Sequence, residues 1–240
     1  MEADRLIVLQ HRGEIGWLTI DRAAKANAMT LAMAEALTAC INAAAMDGGV
    51  KALVITGAGA RAFCGGVDVR EATALSAEAA GSVRSQRLFD LLLALAACPK
   101  PVIAAVNGAA SGGGAMLALL GDRVIAVEGA TLSMPEIDLG SPTLAGMAIL
   151  AHTGGNALAA DLVQTGRRMS AAEALARGLY AEVVAADALA ARAEAAARML
   201  GSKSAAAFRL NKQWLRKPLV EALRLAEADT RQLRADGTVR

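Results

Sequence analysis

The sequence predicts an α/β fold whose core strands run parallel. Three observations carry this expectation. Apolar runs of strand length alternate with segments of helical spacing, in the order strand, loop, helix. Hydrophobic residues make up 55% of the 240 and charged residues 20%, enough to bury a sizeable core. Aromatic residues are only 2% and alanine is the commonest residue, so elements pack through small side chains and approach closely.

The elements follow in order. Residues 5–10 and 14–20 read as strands joined by a turn at His11-Arg12-Gly13. Thr30 caps a helix whose apolar face carries Met33, Leu37, Cys40 and Ile41, and Asp47-Gly48-Gly49 stops it. A buried strand at 51–56 leads into a glycine-rich loop that runs to Gly66. A helix at 83–97 is ended by Pro99 and Pro101. The strand Val102–Val106, a small-residue loop at 107–114, a helix at 116–120 and the strand Arg123–Val127 repeat the pattern. Alanine-rich helices at 187–201, 204–216 and 218–233 then run to the end. The chain therefore divides into a core at 1–185 and a helical C-terminal region at 186–240.

Bulk properties exclude several classes. A net charge of +2 with no basic block argues against a nucleic-acid partner. The longest apolar runs fall far short of the ~20 residues that span a bilayer, and MEADRLIVLQ lacks the features of a signal peptide. Cys40, Cys64 and Cys98 are odd in number and widely spaced, and only His11 and His152 could join them, so no metal site is expected. A soluble cytoplasmic protein with reduced thiols, without a metal or a separate cofactor, is the expectation.

The two glycine-rich loops are the candidate functional features. Each leaves a buried strand and runs towards a helix, which presents unpaired backbone N–H groups and the positive end of a helix dipole. Two such donors in a dry site stabilise a developing enolate or alkoxide, and glycine lets a substrate approach the backbone. Ser111-Gly112-Gly113-Gly114 fits that role; a tight turn with close helix packing is the alternative and, from the residues alone, the simpler reading. Gly57-Ala58-Gly59-Ala60-Arg61-Ala62 formally matches a dinucleotide fingerprint. Phe63-Cys64-Gly65-Gly66 interrupts it before any helix, however, and no acidic residue follows at the ribose position.

Taken together, the segments resemble the enoyl-CoA hydratase/isomerase, or crotonase, family. The resemblance rests on five stretches in order. They are Lys25-Ala26-Asn27-Ala28-Met29, Ala62-Phe63-Cys64-Gly65-Gly66-Val67-Asp68-Val69, Val102-Ile103-Ala104-Ala105-Val106-Asn107-Gly108 with Gly112-Gly113-Gly114, Met134-Pro135-Glu136, and Ala172–Leu179. The resemblance implies a spiral of ββα turns, C-terminal helices that build trimers or hexamers, and an acyl-CoA thioester as substrate. It implies an oxyanion hole from the N–H groups of Val67 and Gly113. It also implies a coenzyme A path lined by Lys25, Ala26, Gly65 and Val69, although the Lys25 stretch is one residue shorter than in the commonest members.

Chemistry beside a thioester needs a group that moves a proton to or from carbon. Family hydratases use two glutamates. Here Met116 stands at the first position, three residues after Gly113, and Glu136 at the second. A single carboxylate suffices to isomerise an enoyl-CoA, and an apolar wall from Met116 and Leu144 would raise its pKa. The expectation is thus enoyl-CoA isomerisation or hydration with Glu136 as acid/base. Decarboxylation, thioester hydrolysis or a non-catalytic acyl-CoA-binding scaffold are the alternatives, and so, for Glu136, is a role confined to capping or pairing near a helix start. Asp68 reads as a helix cap, Asp122 as structural, and Cys64 as a small buried hydrophobe. Ser111 with His152 does not make a hydrolase elbow, because Ala109 spoils the pattern. Lys212 and Arg209 read either as phosphate contacts or as a solvated helix face.

Overall fold

The computed structural model describes residues 6–71 and 77–238. Strands β1 (Ile7–Arg12) and β2 (Ile15–Ile20) pair antiparallel. The turn between them is Gly13-Glu14, later than expected, with Gly13 at φ +62° and His11 and Arg12 paired in the ladder. β2 then pairs parallel with β3 (Ala52–Gly57), and β5 (Val102–Val106), β7 (Arg123–Val127) and β10 (Glu182–Val184) continue the parallel sheet in the order β1-β2-β3-β5-β7-β10.

A second sheet is present that the apolar runs did not mark, although the ββα turns implied by the resemblance call for it. It is built from β4 (Ala62–Cys64), β6 (Ala109–Ser111), β8 (Thr131–Ser133) and β9 (Met169–Ser170), in that order. The expected loop at 107–114 therefore contains a strand. Each of β3, β5 and β7 leaves the first sheet and, within a few residues, supplies one strand to the second. A helix follows each time: α2 (Ala77–Ala97), α3 (Gly113–Leu119) and α4 (Leu144–Gly154), after α1 (Leu31–Met46). Three ββα turns stack in this way. The chain adds α5 (Asn156–Thr165), α6 (Ala171–Ala176), α7 (Leu189–Gly201) and α8 (Ala205–Ala235).

Alternation along the strands sorts the core into two faces. Leu53, Ile55, Val102, Ala104 and Val106 join the main core with Met33, Leu37 and Ile41 of α1 and Leu91, Leu92 and Leu95 of α2. Ala52, Val54, Ile103, Ala105 and Ile125 point the other way, onto Leu189, Ala193, Ala196 and Ala197 of α7. Covering both faces is what makes these strands read as unbroken apolar runs. Thr30 caps α1 as expected, its Oγ1 accepting from the Met33 N–H at 3.2 Å.

The C-terminal helices depart from expectation at Pro218. The structure has one helix from Ala205 to Ala235, with Pro218 inside it, rather than two. Proline removes one helical hydrogen bond, to the residue four earlier. Pro218 is exposed, and Lys212 and Arg216 before it and Leu219 and Leu223 after it are buried, so both flanks are anchored. Lys212 is buried rather than on a solvated face. Its Nζ donates to Asp122 Oδ2 at 2.6 Å and to the Lys100 carbonyl at 2.9 Å, while Arg216 donates to Asp122 Oδ1 at 2.9 Å. Asp122 Oδ2 also accepts the Val102 N–H at 2.8 Å, so one carboxylate ties α8 to the start of β5. Arg209 lies on the exposed face of α8. Among the described residues no helix is long and apolar enough to cross a membrane.

Candidate active site

The two glycine-rich loops meet at the start of α3. Val67 forms an isolated parallel bridge with Met29. The Met29 N–H donates to the Gly66 carbonyl and the Asp68 N–H to the Met29 carbonyl, both at 2.8 Å. Those bonds flank Val67, so its own N–H is turned to the opposite side. Gly113 is the first residue of α3, where the helix offers its N–H no internal acceptor. Neither N–H has a hydrogen-bond partner among the described residues. The two turns touch: a Cβ on Gly113 would lie 3.6 Å from Val67 Cγ2 and 3.2 Å from Leu88 Cδ1.

Gly112 sits at φ +53°, a backbone state that disfavours other residues, and a Cβ there would lie 2.7 Å from Glu136 Oε1. The Glu136 carboxylate is thus packed against the residue that precedes Gly113. Pro135 fixes the start of the 3-10 turn Pro135–Leu139 that carries it. Its Oε2 is buried without a hydrogen-bond partner, and no cation lies within ion-pair distance among the described residues. Burial pushes the Glu136 carboxyl up from its ordinary pKa, and only its own backbone N–H works against that.

The other expected residues fall in three places. Met116 is 2% exposed, one turn along α3 from Gly113, and belongs to the main core. Leu144 opens α4, half-buried against that core. On the other side, Gly65 donates its N–H to the Ala26 carbonyl at 2.9 Å. Ala26 and Gly65 share a cavity of about 520 Å³ with Arg61 and Arg168, and Lys25 lines a second of about 420 Å³ with Arg22 and Arg70. Val69 is 62% exposed in the turn after Asp68. Asp68 is not a helix cap. Its carboxylate accepts from Arg22 at 2.7 Å and from the Arg70 N–H at 3.0 Å, in a segment that is not helical.

Two asparagines that the sequence reading left without a role hold the loops in shape. Asn27 is fully buried in the left-handed region at φ +55°, accepts the Arg22 N–H, and donates to the Ala58 and Ala62 carbonyls at 3.0 and 2.7 Å. Asn107 accepts the Gly57 N–H at 3.0 Å and donates to the Gly57 and Gly59 carbonyls at 2.9 and 2.6 Å. Their signal was present: each is a lone amide in a run of small residues where backbone groups need partners. Cys64 is buried, with its thiol pushed up to about 12 by burial, which rules against a nucleophile. Ser111 accepts from Ser133 at 3.2 Å and lines a different cavity from His152.

A model of the enoyl-CoA hydratase/isomerase family matches residues 10–237, nearly the whole chain. The chain belongs to this family. A probable enoyl-CoA hydratase of Rhizobium meliloti is 36% identical over 225 residues, 92% of this chain and 84% of that protein. An enoyl-CoA hydratase structure from Bacillus anthracis superposes with a TM-score of 0.82 at 29% identity, covering 91% of this chain and 90% of the other. A structure described as an enoyl-CoA isomerase of Mycobacterium tuberculosis gives 0.87 at 26% identity, covering 98% and 100%. The stacked ββα turns are therefore the crotonase fold. The chain is a hydratase/isomerase-type acyl-CoA enzyme, and its similarities include proteins named for both activities.

Proposed function

We propose that this chain isomerises the double bond of an enoyl-CoA thioester, with Glu136 as the one carboxylate that moves the proton. The observation that carries the reading is the Glu136 carboxylate, buried and without a counter-ion, packed against Gly112 beside the unpaired N–H of Gly113. The N–H groups of Val67 and Gly113 receive the thioester oxygen. Glu136 takes a proton from C2 of a 3-enoyl thioester, and the electron pair moves to give a dienolate with its charge on that oxygen. The same proton returns at C4, which leaves the double bond between C2 and C3 and restores the carboxylate. Preorganised donors in a water-poor site make such an intermediate accessible, and loss of one costs about 10²–10³ in rate. The family resemblance sets Met116, which is buried, at the first of a hydratase's two glutamate positions; methionine cannot orient water, and this favours isomerisation over hydration. Lys25, Ala26, Gly65 and Val69 are the proposed coenzyme A path, supported by the contact between Ala26 and Gly65.

The test is a panel of 2-enoyl, 3-enoyl and malonyl-type CoA esters, followed by chromatography and mass spectrometry. A 3-enoyl ester converting to its 2-enoyl isomer at constant mass, with turnover lost by about 10²–10⁴ in Glu136→Gln, is the expected result. Turnover undiminished in Glu136→Gln would sink the assignment. Binding of every ester with no product would mark a non-catalytic homologue.

A further inference from the structure

The N–H of Val67 belongs to the same planar peptide as the Gly66 carbonyl, and in a trans peptide the two point in opposite directions. The Gly66 carbonyl accepts the Met29 N–H at 2.8 Å, so that bond decides where the Val67 N–H points. The Met29 N–H in turn shares its peptide with the Ala28 carbonyl. That carbonyl accepts from Arg22 Nη1 at 3.0 Å. Two peptide units therefore join the Arg22 guanidinium to the Val67 N–H. The same Nη1 donates to Asp68 Oδ2 at 2.7 Å, and Asp68 Oδ1 accepts the Arg70 N–H at 3.0 Å. The Arg22 and Asp68 side chains are 22% and 15% exposed, so water screens this pair only in part. Burial would raise the Asp68 carboxyl, but the hydrogen bonds from Arg22 and the Arg70 N–H together outweigh it and hold the group below its ordinary pKa. The backbone of Arg22 is fixed as well. Its N–H donates to Asn27 Oδ1, and its carbonyl accepts the Lys25 and Asn27 N–H groups.

We propose that Arg22 is a positioning residue for the oxyanion hole: held by Asp68, its guanidinium orients the two peptides in turn and polarises the Val67 N–H. A chain of hydrogen bonds headed by a cation strengthens each donor along it. Misplacing such a donor by about 1 Å costs on the order of 10² in rate. A partly exposed ion pair contributes little to stability, so a purely structural role for the pair predicts a small change in folding and none in turnover. The inference rests on the proposed thioester chemistry at Val67 and Gly113, where Arg22 acts through the backbone and not by contact with the reacting atoms.

Butyryl-CoA labelled with carbon-13 at the thioester carbonyl is the probe, because a saturated ester does not isomerise. Its carbonyl stretch is read by infrared difference spectroscopy on the full-length protein, its affinity by calorimetry, and turnover with a 3-enoyl-CoA. In the parent protein the band is expected to move to lower frequency on binding. Arg22→Met and Asp68→Asn should each lose at least about half of that shift and lower kcat by about 10–100-fold, with butyryl-CoA affinity and KM changed by less than about threefold. The double variant should fall no further than about twofold below the weaker single one, since both residues act through one chain of bonds. Arg22→Lys keeps a cation in place, is the mildest change for folding, and should recover part of the shift and of the turnover that Arg22→Met loses. A parent band that does not shift would overturn this inference together with the reading of the hole. A parent band that shifts while the variants match it, losses confined to KM, losses that multiply in the double variant, or Arg22→Lys no better than Arg22→Met would overturn the role of Arg22 and leave the reading of the hole standing.

Discussion

Glu136 carries a cost that its neighbours do not relieve. Its carboxyl is raised by burial, and Oε2 has no partner. A carboxyl raised in the folded state favours folding fully below its unfolded pKa. That contribution is lost as pH rises through the folded value. Glu136→Gln should therefore match the parent protein in stability near pH 4 and exceed it near pH 8, by about 1–3 kcal/mol, the usual cost of an unsatisfied buried group. Urea denaturation at the two pH values checks this, and equal stability at both contradicts it. Met116 makes the second prediction at this scale. Met116→Glu places a carboxylate one turn from Gly113 and should raise hydration of crotonyl-CoA well above the parent rate, read by loss of the conjugated thioester absorbance. The glycine run, Glu136 and Met116 stood out in the sequence through the family resemblance, since the residues alone left a tight turn and a capping or pairing role open. Asn27 and Asn107 showed only as lone amides among small residues, and their role stayed hidden because it depends on which carbonyls the fold brings within reach.

At the scale of elements, the first sheet and α1 were readable from apolar runs and from a cap. The second sheet was hidden because β4, β6 and β8 are three residues each, too short for alternation to show, and lie in small-residue stretches. Those short strands fix the loops: β4 ends at Cys64 just before Gly65-Gly66-Val67, and β6 ends at Ser111 just before Gly112-Gly113. Gly114 lets the two approach. A Cβ there would lie 2.1 Å from the Cys64 carbonyl oxygen, and both atoms belong to backbone held in elements. Gly114→Ala should lose about 1–3 kcal/mol or more to overpacking, and with it the melting temperature should fall by several degrees. Activity should fall as well, because α3 and the Val67 loop would be forced apart. A variant with parental melting temperature and turnover would show that this contact does not set the site. Pro218 misled for a related reason: helix propensity weakened there, and anchored side chains on both flanks overrode it.

Across the whole molecule, α8 is joined to the core through Asp122, Lys212 and Arg216 rather than through apolar contact alone. Nothing in the sequence marked Lys212 as buried, since lysine at helical spacing reads as solvated until its partner, 90 residues away, is placed beside it. Removing that partner strands two buried cations. Asp122→Asn is therefore expected to cost about 3–5 kcal/mol, measured by chemical denaturation, while a loss under 1 kcal/mol would mean water already screens the pair. The proposed function combines one enolate-stabilising site with one carboxylate. Proton exchange at C2 reads that combination directly. A saturated acyl-CoA incubated with the protein in D2O and followed by mass spectrometry is predicted to gain deuterium at C2, and to gain it at least about 10²-fold more slowly with Glu136→Gln. An acyl-CoA that stays bound but takes up no deuterium, or takes it up equally well without Glu136, contradicts the account.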